Sequence, residues 1–475
     1  FLPQYEGKIK CIYIDPPYNT GNEGWIYNDN VNDPKIKKWL GEVVGKEGED
    51  LSRHDKWLCM MYPRLVLLQK LLAEDGAIFI SIDDNEHANL LLVCNEIFGS
   101  NNFIQDIIWN KRVSPARDAK FFSTDHEYIL VYSKNKESLT THFLPRTEKN
   151  NSYYKNPDND PRGPWNSAAY TCNKSRDERP NLYYPITNPY TGEKIFPKES
   201  AVWAYSEETY QQHVRDNLLY WGVNGEAKQP RKKAFLSEVG DVVPRSVWSH
   251  SDVGSTQKAT MENNTIFNMR AFSYPKVSTL VERIIQIASD KDSIVLDSFA
   301  GSGTTAHAVL NMNKSDGGNR KFILVEMGDY ADTITAERVK RVINGYGEGK
   351  NAVEGTGGNF SYYELGNPLF MQDGTINDEV DITEVRKYVW YTETNGIEYK
   401  EDIQEKYFLG SYNDTAYYFY YEKDRVTILD YEFLTSVHKK EQTYVMYADS
   451  CALSDSDLQK WNITFKKIPR DIEHI

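Results

Sequence analysis

Two short segments of this chain carry residue types that do chemistry together. The first is Asp15-Pro16-Pro17-Tyr18, directly after the apolar run at residues 9–14. Proline lacks an N–H and fixes φ, so two in succession end a strand and stiffen the turn. Such a turn presents a carboxylate, an unpaired backbone carbonyl and a flat ring in one place. Those groups suit a nucleobase amino group, with two acceptors for its hydrogens and a ring to stack on. A stiff structural corner is the other reading. The second segment is Asp297-Ser298-Phe299-Ala300-Gly301-Ser302-Gly303-Thr304-Thr305-Ala306. Gly301, Gly303 and Ala306 fit G-x-G-x-x-A between a strand and a helix, and Glu326 ends the next strand. The glycines permit a tight turn and close backbone approach to a nucleotide, and the acid suits a ribose diol. The pattern alone does not choose among NAD, FAD and S-adenosylmethionine, and a purely structural turn also fits it. No G-x-x-x-x-G-K-[ST] occurs, so no ATPase site is evident.

Strands and helices must hold these turns. Residues 9–14 and 77–82 read as buried strands, 63–72 as a helix, and 86–98 as a helix stopped by Gly99. Asp83 and Asp84 end the second strand, where they either cap the next helix or touch ligand. Residues 107–110 and 126–132 read as an antiparallel pair, with Phe121 and Phe122 in their loop. These two phenylalanines are expected to be buried core aromatics, with a wall for a bound base as the alternative. A second α/β unit follows: a helix at 277–288, strands at 293–296 and 321–325, and a helix at 304–313. This alternation is the pattern of a doubly wound sheet. Residues 19–52 are rich in Gly, Asn and Asp and read as a mobile loop. Residues 138–262 are rich in Tyr, Asn, Pro and Trp and read as an irregular or β-rich insert. Gly355 to Gly358 reads as a linker, and the acidic tail beyond it has alternating, Tyr-rich strands.

With 475 residues, the chain has room for two to four domains. The net charge of −14 argues against nucleic-acid binding through overall charge but leaves room for a local basic cleft. The cysteines are five, scattered, and form no CxxC pair, which fits a reducing cytosol and gives no zinc signature. No run approaches the roughly 18 apolar residues of a membrane span, and no signal peptide is visible. The chain begins at Phe1 without methionine, close to its first strand, which suggests further chain upstream.

A glycine turn and an Asp-Pro-Pro-Tyr turn, each after a strand of one sheet, together resemble the amino-group DNA methyltransferases. The order here, catalytic turn first, then insert, then glycine turn, resembles the beta class of adenine-N6 methyltransferases. DPPYNTG at 15–21, KWLCMMYPRL at 56–65, FISIDDNE at 79–86 and PRKK at 230–233 resemble blocks of the modification (Mod) subunits of Type III restriction–modification systems. So do FSYPK at 272–276, the glycine turn and GTGGNFS at 355–361. The likeness runs from about residue 5 to the end and is dense through residue 365. It departs at the N-terminus, where such proteins carry more chain before the first turn.

The resemblance implies an α/β fold: a Rossmann-like, S-adenosylmethionine-dependent methyltransferase core, a doubly wound sheet with an antiparallel hairpin. It implies a catalytic half at 1–137, an inserted target-recognition domain at 138–262, a cofactor-binding half at 263–350 and a C-terminal α+β domain at 351–475. The implied reaction moves a methyl group from S-adenosylmethionine to N6 of an adenine flipped out of double-stranded DNA. Asp15, Pro16, Pro17 and Tyr18 would be catalytic, with Asp15 and the Pro16 carbonyl holding the amine and Tyr18 stacking on the base. Asp297, Phe299, Gly301, Gly303, Thr304, Glu326 and Lys276 would bind cofactor; Lys276 would meet its methionine carboxylate, unless it is a solvated lysine at a helix start. Arg231, Lys232 and Lys233 would contact DNA phosphates, and Arg176, Asn173 and Arg179 are candidates for base reading. A homodimer, a restriction (Res) helicase/nuclease partner and a cytoplasmic location are also implied. A solitary methyltransferase is the main alternative. A dinucleotide-dependent oxidoreductase leaves Asp15–Tyr18 without a role, and an idle DNA-binding subunit leaves them intact without a use. Glu398-Tyr399-Lys400 is an E-x-K triplet of the kind found in nucleases, and common by chance.

Overall fold

The computed structural model describes residues 2–20, 53–117, 119–371, 373–394, 397, 399–400 and 405–472. The stretch expected to be a mobile loop is described only at Asn19 and Thr20; residues 21–52 lie outside the described residues, as does Glu398 of the E-x-K triplet.

A seven-stranded sheet forms the centre. In chain order its strands are β1 (Ile9–Ile14), β2 (Leu72–Ile82), β3 (Phe103–Asn110), β4 (His126–Ser133), β5 (Val247–Trp248), β6 (Ile294–Asp297) and β7 (Lys321–Leu324). Across the sheet they lie in the order β5-β3-β4-β2-β1-β6-β7. β1 runs parallel to β2 and β6, β6 to β7, and β5 to β3. β4 runs antiparallel to both β2 and β3, which makes the expected hairpin. Every residue of β1 is buried. A strand apolar on both faces needs a covering layer on each side, and β1 accordingly sits near the middle of the sheet.

The helices that cover it are α1 (Arg53–Leu71), α2 (His87–Cys94), α3 (Thr256–Phe267), α4 (Ser278–Ala288), α5 (Thr304–Asp316) and α6 (Glu337–Asn344). Side chains alternate along a strand, so each strand feeds two cores. Ile12, Ile14, Ile78 and Ile80 pack on one face with Trp57, Met61 and Leu65 of α1 and Leu90 of α2. Cys11, Tyr13, Ala77 and Phe79 pack on the other with Leu280, Val281 and Ile284 of α4. Asp75 and Gly76 lie within β2. The β1–β2 register slips there, between Ile9 and Cys11. A Cβ at Gly76 would lie 2.9 Å from the carbonyls of both Ile9 and Lys10, so only glycine lets the strands approach at that point.

The insert is mostly irregular, with short strands and helices. Trp165–Ala169, Arg231–Phe235 and Leu219–Tyr220 form one small sheet, and Tyr170, Ile186, Trp203 and Trp221 a separate core. It rejoins the central sheet at Val247, earlier than the expected boundary at 262. Val247 and Trp248 pair with Ile108 and Trp109, and the buried Trp248 ring fixes that edge. Beyond the linker, helix Ile382–Thr394 and a four-stranded sheet make the α+β unit. Trp390, Phe419 and Tyr447 pack on one side of that sheet, and Tyr418, Phe433 and Met446 on the other. Tyr399 of the E-x-K triplet accepts a hydrogen bond from Arg386 Nε at 3.0 Å. Among the described residues no helix is long and apolar enough to cross a membrane.

Candidate active site

Because β1 lies between β2 and β6 and parallel to both, the carboxyl ends of the three strands share one edge. β4 runs the other way, so it begins at that edge. In a doubly wound sheet this edge is where ligands bind.

Asp15 follows β1 and is partly exposed. Its Oδ1 accepts from Lys276 Nζ at 2.7 Å. The same ammonium donates to Tyr18 Oη at 2.9 Å and lies 4.8 Å from the centre of the Tyr18 ring. Tyr18 Oη donates to Glu127 Oε2 at 3.1 Å, and Lys276 Nζ is 3.4 Å from the same oxygen. Lys111 Nζ closes the group on Glu127 Oε1 at 2.8 Å. Two lysines and two carboxylates thus balance in charge around one phenol. Burial pushes the Asp15 carboxyl above its ordinary value, against the pull of Lys276. Burial acts on Glu127 in the same direction, but Lys276 and Lys111 outweigh it and hold that carboxyl below the ordinary value. Burial would lower Lys276, yet Asp15 and Glu127 raise it, so it stays charged. Tyr18 lies well above the ordinary phenol value, through burial first and the Asp15 charge second, and stays neutral. The carbonyl of Pro17, not Pro16, accepts from Trp57 Nε1 at 2.7 Å, which ties the turn to α1. Asn19 takes a left-handed conformation at φ 59° and bonds to the buried Glu86, which also accepts from Asn89 at the start of α2.

The glycine turn follows β6, beside β1. Gly301 and Gly303 have φ of +50° and +79°, and a Cβ at Gly303 would lie 2.9 Å from the Thr335 carbonyl. The two acids of the motif hold the backbone. Asp297 accepts from the Phe299 N–H at 3.0 Å and from the Thr305 hydroxyl; burial pushes its carboxyl up to about 7. Glu326 accepts from the Gly301 N–H at 2.7 Å and the Gly328 N–H at 2.8 Å. Phe272, edge-on to Tyr330, brings its ring within 3.4 Å of the Cβ position at Gly301. Ser298 Oγ is buried with no hydrogen-bond partner among the described residues. An orphaned hydroxyl, glycine backbone and two rings fit a nucleoside-bearing cofactor.

Several expected site residues stand elsewhere. Lys276 sits at the Asp15 turn: its carbonyl accepts from Thr304 Oγ1 at 3.2 Å, while its ammonium reaches Asp15. Thr304 is buried and also accepts from Arg338 at 2.9 Å, and Phe299 is buried in the α1-side core, so both support the turn from within. Lys233 is a correction. It is 2% exposed and ion-paired to Asp158 at 2.5 Å and Asp160 at 2.8 Å, because its position on the strand points into the insert. Arg231 is exposed and bonds to Ser167, and Lys232 lies over the Tyr205 ring. Asn173, Arg176 and Arg179 are all exposed. Phe121 and Phe122 are a second correction: they are 82% and 93% exposed, not core. Asp83 accepts from the Asn85 N–H at 2.9 Å, shaping the turn before α2. Glu127 and Lys111 were not foreseen. The available signal was an acid in step with Ile129 and Val131 on the inward face of an alternating strand.

A protein-family model described as DNA methylase matches residues 9–337. The Type III restriction-modification enzyme StyLTI Mod subunit of Salmonella typhimurium is 36% identical over 366 residues, 71% of this chain and 54% of that protein. The EcoPI Mod subunit of Escherichia phage P1 is 33% identical over 68% of this chain and 54% of its own. The Type II methyltransferase M.KpnI of Klebsiella pneumoniae is 34% identical over 67% of this chain and 75% of its own. The chain therefore spans about half the length of the Mod subunits it matches. The family match runs through both turns and the insert between them, and the chain belongs to the DNA methylase family.

Proposed function

We propose that this chain is a site-specific DNA methyltransferase acting on adenine N6 with S-adenosylmethionine as cofactor. We further propose that it serves as the modification and specificity subunit of a Type III restriction–modification system. The observation that carries the first reading is the parallel β1–β6 pairing, with Cys11 opposite Val295 and Ile12 opposite Leu296. It sets the Asp15 turn and the Gly301 turn side by side on one edge. Likeness to Mod subunits supports the second reading, along with a homodimer, a restriction partner and a cytoplasmic setting.

S-adenosylmethionine, when bound, supplies an electrophilic methyl group on sulfonium. Glu326, the backbone of Gly301 and Gly303, Ser298 and Phe272 would hold it. The target amine is a poor nucleophile because its lone pair is delocalised into the ring. Asp15 and the Pro16 carbonyl accept its two hydrogens, which turns the lone pair outward and stabilises charge growing on nitrogen. Lys276, which now fills the Asp15 carboxylate, gives way to the amine and keeps the pocket's charge balanced. Tyr18, fixed at its hydroxyl by Glu127, offers its ring to the base.

The test is transfer of labelled methyl from S-adenosylmethionine to plasmid DNA by the wild type and Asp15→Ala. Wild-type incorporation with a loss of about 10²–10³ in the variant is expected. Equal incorporation by both would contradict the assignment of Asp15.

A further inference from the structure

The loop between β3 and β4 leaves the sheet at the same edge as the two turns. Its base is built: the Lys111 N–H donates to the Asp125 carbonyl at 2.9 Å, and the Thr256 N–H to the Lys111 carbonyl at 3.1 Å. Higher up, the Ala116 N–H donates to Ser123 Oγ at 2.7 Å, and that hydroxyl donates to Asp125. This cross-link pinches off the tip, and the tip carries Phe121 and Phe122 into solvent. Two adjacent phenyl rings held out in water cost free energy that a partner must repay. The chemistry around them identifies that partner. Arg112, Arg117 and Lys120 share the loop, all exposed, and Lys120 Nζ lies 5.3 Å from the Phe121 ring centre. Two adjacent flat rings preceded by exposed cations on an otherwise acidic chain suit a polyanion with stacking faces. The loop's first residue, Lys111, is bonded to Glu127, which holds Tyr18.

We propose that this tip enters the target duplex, with Phe121 and Phe122 stacking into the base step vacated by the flipped nucleotide. The proposal rests on the methyltransferase reading and adds to it the element that opens the duplex. Apolar side chains wedged between base steps unstack them, and Arg and Lys beside them hold the backbone. Through Lys111 and Glu127 the same insertion bears on the ring that receives the base.

The test uses the full chain and a duplex bearing the target site mapped for the wild type. The target adenine is placed opposite thymine in one duplex and opposite an abasic site in the other. Phe121→Ala/Phe122→Ala is expected to lower kcat/KM on the paired duplex by roughly 10- to 100-fold. On the abasic duplex, where opening is already done, the loss shrinks to within about threefold. Phe122→Leu, which keeps an apolar wedge, should recover most of the paired activity. Both side chains are exposed, so melting temperatures should match the wild type. Equal losses on both duplexes, or none, would overturn the wedge while leaving wild-type methylation intact. A change in oligomeric state without a paired-duplex defect would also overturn it and assign the rings to a contact between copies. A wild type that methylates no DNA would remove the function and this inference together.

Discussion

The two turns stand on neighbouring strands of one sheet, yet they use their acids in opposite ways. At the glycine turn, Asp297 and Glu326 are spent on the chain itself, holding the N–H groups of Phe299, Gly301 and Gly328. At the Asp15 turn, the carboxylate accepts from no backbone N–H among the described residues; a lysine from a distant segment occupies it. The first turn is a fixed shape, and the second is a set of acceptors kept charged and reachable. A shape suits a cofactor bound the same way in every cycle. Exchangeable acceptors suit a substrate that enters and leaves.

That contrast can be broken in graded steps. Asp15→Ala should cut methyl incorporation by about 10²–10³ while cofactor affinity, measured by calorimetry, stays within about twofold. A matching loss of affinity would erase the division of labour. Gly303→Ala should do the reverse. Its φ of +79° and the 2.9 Å approach to Thr335 strain any side chain, and roughly 10- to 100-fold weaker cofactor binding is expected. Unchanged affinity in that variant would show that the turn is not the cradle.

Lys276→Met should have a smaller effect on rate, roughly tenfold, and a diagnostic effect on pH dependence. Asp15 accepts the amine only as carboxylate, so activity falls as pH drops through its raised pKa. Lys276 lowers that pKa; without it the acid limb of the pH–rate profile should move to higher pH. A limb that stays put would mean that Lys276 does not set the Asp15 charge.

The smallest effect on turnover belongs to Asp297→Asn, whose amide oxygen can still accept from the Phe299 N–H; its diagnostic effect is on the pH dependence of stability. Burial raises the Asp297 carboxyl from 3.8 to about 7, so the folded chain prefers it protonated. The penalty is absent below 3.8, grows as pH rises through that value and is complete above about 7. The variant lacks it, so its melting temperature should gain on the wild type across that window. A pH-independent difference would contradict a buried, titrating Asp297.

Much of this was legible in the sequence, because both turns are local. Two prolines after an apolar run, and two glycines between a strand and a helix, impose their geometry wherever they occur. The hairpin and the doubly wound order followed from the alternation of elements. What was not legible depends on where a side chain ends up in three dimensions. Lys276 and Lys233 are both lysines held by two carboxylates, one at the site edge and one buried in the insert. Resemblance to the family assigned the first to cofactor and the second to phosphate. Their partners, Asp15 and Glu127 in one case, Asp158 and Asp160 in the other, come from segments that only the fold brings near. Phe121 and Phe122 misled in the same way, since apolar residues are usually buried and only the pinched loop shows these two exposed.

The central claim is that Asp15 and its turn hold an adenine amino group beside a cofactor cradle. Nucleoside mass spectrometry on plasmid DNA treated with the wild type and S-adenosylmethionine addresses it most directly. N6-methyladenine is the expected product, reduced to background with Asp15→Ala. N4-methylcytosine as the product, or N6-methyladenine at an undiminished level from the Asp15→Ala protein, would contradict it.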